Sequence, residues 1–416
     1  MAKKTAKVTE DESQEFADDM SSFLETSCGL EIQTLNERDE INYWINSGSY
    51  ALNWIIGDSF FNGLPGSKAI LCAGKSEKGK SLITDCWLGE NIRAGGISFK
   101  IDVEDSAGFA FTAKVVGSET VAKQIRLVSP KMLSKKKDKL DPADLIITIE
   151  RLTNIMNKII DYQISKGKDK NSSVMIVIDS VSQLSTEKEI TDIRAENDKR
   201  DMTATQRMRA LFRAITQMLR HANVTIIGVA HLTANIGVMF GEKDVINAKG
   251  SAFGYASSLT LQAMSSKEII DTKSGVPIGI KLKFKTKKNR LAFKGRDAFT
   301  YLYFDGGIDP YGGLAELMVQ YGIAKSSAKP ALDGGYKESV IFTYITEDGK
   351  ELKFKAKTAG KIIEENGGKI LLEEIERRLN DSYKNKLKAD GVSEEDLLTE
   401  DPIDDEEVIE VYNEES

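Results

Sequence analysis

Residues 69–81 read AILCAGKSEKGKS. Ala69 to Ala73 form an uncharged, strand-length run, and Gly74 opens an eight-residue string that closes at Lys80 and Ser81. The string fits GxxxxGK(S/T), and an amphipathic stretch near 80–93 follows it, giving a strand–loop–helix order. Glycines let backbone N–H groups curl around a phosphate chain, and the N-terminus of the next helix adds a favourable dipole. Gly74, Lys75, Ser76, Glu77, Lys78 and Gly79 would form the cradle, Lys80 would reach the β- and γ-phosphates, and Ser81 would hold magnesium through its hydroxyl. The plain alternative, a glycine-rich surface turn, fits the flanking strand and helix poorly.

Downstream, apolar runs at 97–102, 124–128, 174–179 and 224–230 alternate with helix-length stretches near 107–116, 143–165 and 203–221. In the last, Met208, Leu211, Phe212, Ile215, Met218 and Leu219 recur at helical spacing. Such alternation predicts an α/β core, a mainly parallel sheet with helices on both faces. After residue 254 three strand-like runs follow without helices between them, which predicts antiparallel additions to one sheet edge. A helix near 312–321, a hairpin over 338–356 turning at Asp348-Gly349, and helices over 358–388 complete the pattern. The expected divisions are a flexible leader 1–22, an N-terminal segment 23–66, a core 67–325, a small α+β unit 326–392 and an acidic disordered tail 393–416.

The 416 residues are 41% hydrophobic and 29% charged, a composition that suits a folded chain. No apolar run reaches the roughly 20 residues needed to cross a bilayer, and MAKKTAKVTEDESQEF has no apolar signal core. Three cysteines, none in a CxxC pair, suit a reducing, cytoplasmic compartment, and two histidines argue against a histidine-built zinc site. The net charge of −7 is unevenly placed. Residues 393–416 hold twelve of the 64 acidic residues and no lysine or arginine, so the remainder carries +5. Such a tail is expected to stay mobile.

A magnesium site needs a carboxylate near the loop, and VMIVIDS offers Asp179 at the end of a buried strand. Hydrolysis needs a group to orient or deprotonate water. Glu104 and Asp105, just past ISFKID, both fall at the same sheet edge, and spacing does not choose between them.

These pieces resemble the RecA recombinase family, with the T-even-phage UvsX recombinases the nearest likeness. IGVMFG (236–241) resembles the family's second DNA-binding loop, and FDGGIDPYGGL (304–314) resembles a UvsX string. The resemblance implies a RecA-like P-loop ATPase core using ATP and Mg2+. It selects Glu104 as the catalytic glutamate and places Phe111 where an aromatic stacks on adenine; a core role for Phe111 is the alternative. His231 falls where the family senses the γ-phosphate. Lys288-Asn289-Arg290 matches a motif whose two cations reach the nucleotide of a neighbouring subunit. The alternative there is a solvated strand with Lys281, Lys283, Lys285 and Lys287 on one face.

Between His231 and a strand expected near Tyr255 lie more than twenty residues with little regular pattern. Ile236, Gly237, Val238, Met239, Phe240 and Gly241 fall there, an apolar cluster suited to wedging between bases, with Lys243 and Lys249 for phosphates. The first DNA loop is expected near 184–207, where Arg207 and Arg213 match the family's arginines and Arg200 follows from charge alone. The lysine-rich stretch 131–139 has no obvious family counterpart and reads as a solvated charge run.

The expectation is a DNA-dependent ATPase that polymerises as a homo-oligomeric helical filament on single-stranded DNA. It would pair that strand with homologous duplex DNA, helped by single-strand-binding and loader proteins, with no membrane partner. A ring-forming helicase of the same fold and a non-recombinase ATP-binding scaffold are the competitors.

Overall fold

The structure is a computed structural model that describes residues 10–29, 32, 41–130, 146–167, 172–196, 203–234, 244–271 and 273–389. Arg200, Ile236–Gly241, Lys243, the 131–139 lysines and the acidic tail lie outside the described residues. The chain divides after Asn42. The leading unit contains a helix, Glu10–Cys28, so most of the stretch expected as a flexible leader is regular.

From Tyr43 onward the organising element is a ten-stranded sheet. Its strands are β1 (Ala69–Gly74), β2 (Ile97–Asp102), β3 (Arg126–Val128), β4 (Val174–Asp179), β5 (Val224–Ala234), β6 (Asp244–Ile246), β7 (Leu259–Ile270), β8 (Pro277–Asn289), β9 (Asp297–Tyr303) and β10 (Gly307–Asp309). Across the sheet they run β10-β9-β8-β7-β1-β5-β4-β2-β3, with β6 paired to β5. Every residue of β1 and β4 is buried, as runs covered on both faces must be. β7 departs from the expected pattern: it pairs parallel to β1, and antiparallel pairing begins only at β8. The Ser257–Ser258 turn after helix Ala248–Ala256 lets β7 enter in the direction of β1.

The helix Thr203–Ala222 packs its apolar stripe (Met208, Leu211, Phe212, Ile215, Leu219) into one core layer with helix Ile149–Lys166. The opposite layer holds more than expected. Helix Tyr50–Gly57, capped by Ser49, buries Leu52, Trp54, Ile55 and Ile56 beside β1, β7 and β8. Residues 43–66 therefore belong to the main core.

The C-terminal strands Ala324–Ser326, Phe342–Ile345 and Glu351–Phe354 make a separate three-stranded sheet, followed by helices Ala359–Glu365 and Lys369–Ala389. Its residues join that same core: Trp54 meets Tyr321 edge-on at 5.0 Å, and its Nε1 donates to Asn380 Oδ1 at 2.8 Å. Two lysines of the β8 face expected to be solvated are covered instead. Lys281 pairs with Glu316 at 2.9 Å and sits 4.1 Å from the Phe299 ring centroid, and Lys283 pairs with Asp297.

Trp54→Ala should destabilise the chain by about 3–5 kcal/mol through a large buried cavity, measured by urea unfolding followed by circular dichroism. A loss below about 1 kcal/mol would show that residues 43–66 fold outside the cooperative core.

Candidate nucleotide site

Parallel register builds the site. Gly74 on β1 pairs with His231 on β5, and Asp102 on β2 pairs with Asp179 on β4, so four chemically loaded strand ends meet at one edge. The loop from Gly74 turns there into helix Lys80–Arg93. Gly79 adopts φ +77 and offers no side-chain cap to the helix, so the first helical N–H groups face the loop. A Cβ at Gly79 would also come within 2.5 Å of a Leu282 methyl, so a larger residue would have to displace that side chain.

Lys80 is 5% exposed and folds back so that Nζ donates to the Lys75 carbonyl at 2.7 Å. Burial pulls its ammonium below the ordinary value, while Cys72, Asp179 and Glu104 push it back. The Cys72 thiol under the loop is pushed up to about 12 by burial, so it is no nucleophile at neutral pH. Lys75 pairs with Asp244 at 2.9 Å, and Ser266 donates to the Glu77 carbonyl at 2.9 Å.

Asp179 is 3% exposed. Burial raises its carboxyl, and Lys100 and the Ser81 hydroxyl draw it back down. Among the described residues its buried Oδ2 has no hydrogen-bond partner. That oxygen faces Lys100 at 3.9 Å, while a buried carboxylate, a neighbouring serine hydroxyl and an open helix N-terminus together fit a hard cation shared with phosphate oxygens. Glu104 is held toward this edge. Its Oε1 accepts from Ser180 Oγ at 2.8 Å and lies 3.2 Å from His231 Nε2. Ser182 Oγ in turn accepts from the His231 backbone N–H at 2.9 Å. Ser180 and Ser182 carry no role in the sequence reading, although they lie one and three residues past Asp179.

Phe111, on helix Phe109–Val116, is 51% exposed and so is no core residue; its ring lies 6.3 Å from that of Phe304. Lys288 and Arg290 lie elsewhere. The Arg290 N–H donates to the Ser258 carbonyl, and the Ser258 N–H donates to the carbonyl of Ala69, the first residue of β1. Gly74 is five residues further along, roughly 16 Å of strand. The two cations thus occupy the edge of the sheet opposite the loop of their own chain. Their turn is pinned from behind, since Asn289 Nδ2 donates to the Ile56 carbonyl at 2.9 Å. Arg296 is paired with Asp58 and packed 4.2 Å and 4.1 Å from the Trp54 and Tyr383 ring centroids. Sequence reading missed both anchors.

The DNA-facing expectations fare unevenly. The stretch 184–207 is not one loop: Thr186 caps a helix, Glu187–Arg194, and residues 203–207 begin the next helix. Arg207 pairs with Glu150, Lys249 with Glu189 at 3.5 Å, and Arg213 is exposed. After His231, β5 continues to Ala234 and pairs with β6, and Asn247 then caps the helix Ala248–Ala256. Much of the stretch expected to lack regular pattern is thus strand and helix, and residues 235–243 lie outside the described residues.

A phosphate loop at the carboxyl edge of a parallel sheet, with an acidic strand end beside it, defines the P-loop nucleotide-binding class. Residues 30–309 match the RecA N-terminal domain, so the chain belongs to the RecA family. It is 27% identical over 341 residues to the protein RecA of Mycoplasma mycoides subsp. mycoides SC, spanning 80% of this chain and 88% of that protein. The likeness to the protein RecA of Malacoplasma penetrans is 28% over 306 residues, 73% of this chain and 82% of that protein. For the protein RecA of Borrelia duttonii it is 27% over 334 residues, 79% and 80%. The family's members are ATP- and DNA-binding recombinases of DNA recombination and repair. No helix among the described residues is long and apolar enough to cross a membrane.

Lys80→Ala should weaken ATP binding by roughly 10²-fold or more, the loss of a charge-assisted contact in a buried cleft. Titration with a fluorescent ATP analogue measures it; an affinity within threefold of the parent would remove Lys80 from the site.

Proposed function

We propose that this chain is a recombinase that polymerises with ATP on single-stranded DNA and promotes pairing and strand exchange with homologous duplex DNA. The nucleotide lies between subunits, and Lys288 and Arg290 serve the phosphates bound by the neighbouring copy. The observation that carries this reading is the opposite-edge placement of those cations. Within one chain they stand too far from Gly74–Ser81 to touch the same phosphate. In a head-to-tail stack, one subunit's cation edge meets the next subunit's loop edge, and such heterologous contacts grow into helices.

Magnesium, held by Ser81 and Asp179, would neutralise charge developing on the transferred phosphoryl group. Lys80 binds the phosphate chain, and Phe111 offers its exposed ring to the base. Glu104 orients the attacking water and accepts its proton. His231 touches Glu104 and begins the arm of β5 that leads to residues 235–243. Nucleotide state at Glu104 therefore has a short physical route to the segment assigned to DNA, Ile236 to Gly241. The run IGVMFG supports a DNA-binding loop of the RecA family, and the string FDGGIDPYGGL supports a UvsX-like member of it.

Glu104→Gln should retain ATP binding and filament formation while hydrolysis falls about 10²-fold or more, measured as ATP turnover with and without single-stranded DNA. Near-normal turnover would take Glu104 out of catalysis. A Lys288→Ala, Arg290→Ala chain should bind ATP yet lack DNA-stimulated turnover. Mixing it with the Lys80→Ala chain should restore part of that turnover at mixed interfaces. No recovery, with both proteins folded and co-assembling, would defeat the shared-site reading.

A further inference from the structure

A polar chain runs beneath the nucleotide site. Asp85, on the inner face of helix Lys80–Arg93, is 5% exposed, and Lys100, on β2, is 4% exposed. Lys100 Nζ donates to Asp85 Oδ1 at 2.7 Å and lies 3.9 Å from Asp179 Oδ2, the oxygen without a hydrogen-bond partner. The other Asp85 oxygen, Oδ2, accepts from Thr112 Oγ1 at 3.2 Å. Thr112 adjoins Phe111 on helix Phe109–Val116. One hydrogen-bonded and ion-paired path therefore joins the metal-side carboxylate to the helix that presents the aromatic ring.

A buried ion pair is poor evidence for stability, because desolvation offsets most of its attraction. Burial alone would lower the Lys100 ammonium, but Asp85 and Asp179 beside it raise it above its ordinary value, so it stays charged. Three groups with directional bonds in a dry interior admit few alternative arrangements. Displacing the Asp179 carboxylate changes the pull on Lys100, and Lys100 is fixed to Asp85, which in turn holds Thr112. The far end of that helix is anchored separately, by buried Val115 and Val116 and by Cys86 Sγ on the Val115 carbonyl, so the Thr112 bond is the polar tie at the end that carries the half-exposed Phe111 ring.

We propose that Lys100, Asp85 and Thr112 are positioning residues that couple the magnesium end of the nucleotide site to its base end. Each half of the ligand then binds better when the other half is in place. The inference rests on the assignment of Asp179 to magnesium and Phe111 to adenine made above.

The test compares ATP with inorganic tripolyphosphate, which lacks the base, each titrated calorimetrically into the full chain with Mg2+ and with EDTA. In the parent, Mg2+ should strengthen ATP binding by a factor roughly fivefold or more greater than it strengthens tripolyphosphate binding. Thr112→Val, and separately the paired change Asp85→Leu with Lys100→Met, should bring that excess close to one. A purely structural role would weaken both ligands in parallel and leave the excess intact. Phe111→Ala supplies the control. If it weakens ATP while Thr112→Val and the paired variant keep the parent excess, the coupling is overturned and the site stands. If it leaves ATP affinity unchanged, the base assignment fails and the coupling falls with it. An absence of excess in the parent also overturns the proposal.

Discussion

The parallel register of β1, β5, β4 and β2 is the constraint on which everything else depends. Because those strands run the same way, their carboxyl ends emerge together, and Gly74, His231, Asp179 and Asp102 become neighbours despite wide sequence separation. Parallel strands need long crossovers, and the helices Lys80–Arg93, Ile149–Lys166 and Thr203–Ala222 are those crossovers as well as the covering layers. A dry, doubly covered sheet leaves its polar ends as the natural place for a charged ligand.

Antiparallel strands have the opposite consequence. A parallel addition ends at the loop edge, but β8 runs against β7, so its last residues return to the amino edge. That reversal carries Lys288 and Arg290 away from their own loop. Asn289 and Arg296 then fix the turn against helix Tyr50–Gly57 and the Lys369–Ala389 helix. On the proposed reading, a site split between two edges is incomplete in a single copy, which would link hydrolysis to assembly.

Much of this was legible in the sequence. The loop string at 74–81 and the continuous apolar runs of β1 and β4 carry strong local signals, and their boundaries fall within a residue of the observed ones. Helix periodicity over 203–221 was equally plain. The direction of β7 was not, because strand direction depends on where the preceding connection leaves the chain rather than on pattern. The Asn247 cap and the short β6 were obscured by apolar and glycine residues that read as loop. ISFKID shows a related limit. Its Ser98 and Lys100 alternate like a solvent-facing set, yet both are buried, satisfied by Leu88 and Asn91 and by Asp85. Pairing between distant polar residues leaves no periodic trace. The packing of Trp54 on Tyr321 and Tyr383 was invisible for the same reason.

The central claim is that one nucleotide is served by two copies of this chain. Electron cryo-microscopy of the full chain assembled on single-stranded DNA with a non-hydrolysable ATP analogue addresses it directly. The account predicts helical filaments with the analogue between subunits, its phosphates held by the Gly74–Ser81 loop of one copy and contacted by Lys288 and Arg290 of the next. A nucleotide enclosed within single subunits, with the Lys288–Arg290 turn facing solvent or DNA, would contradict it.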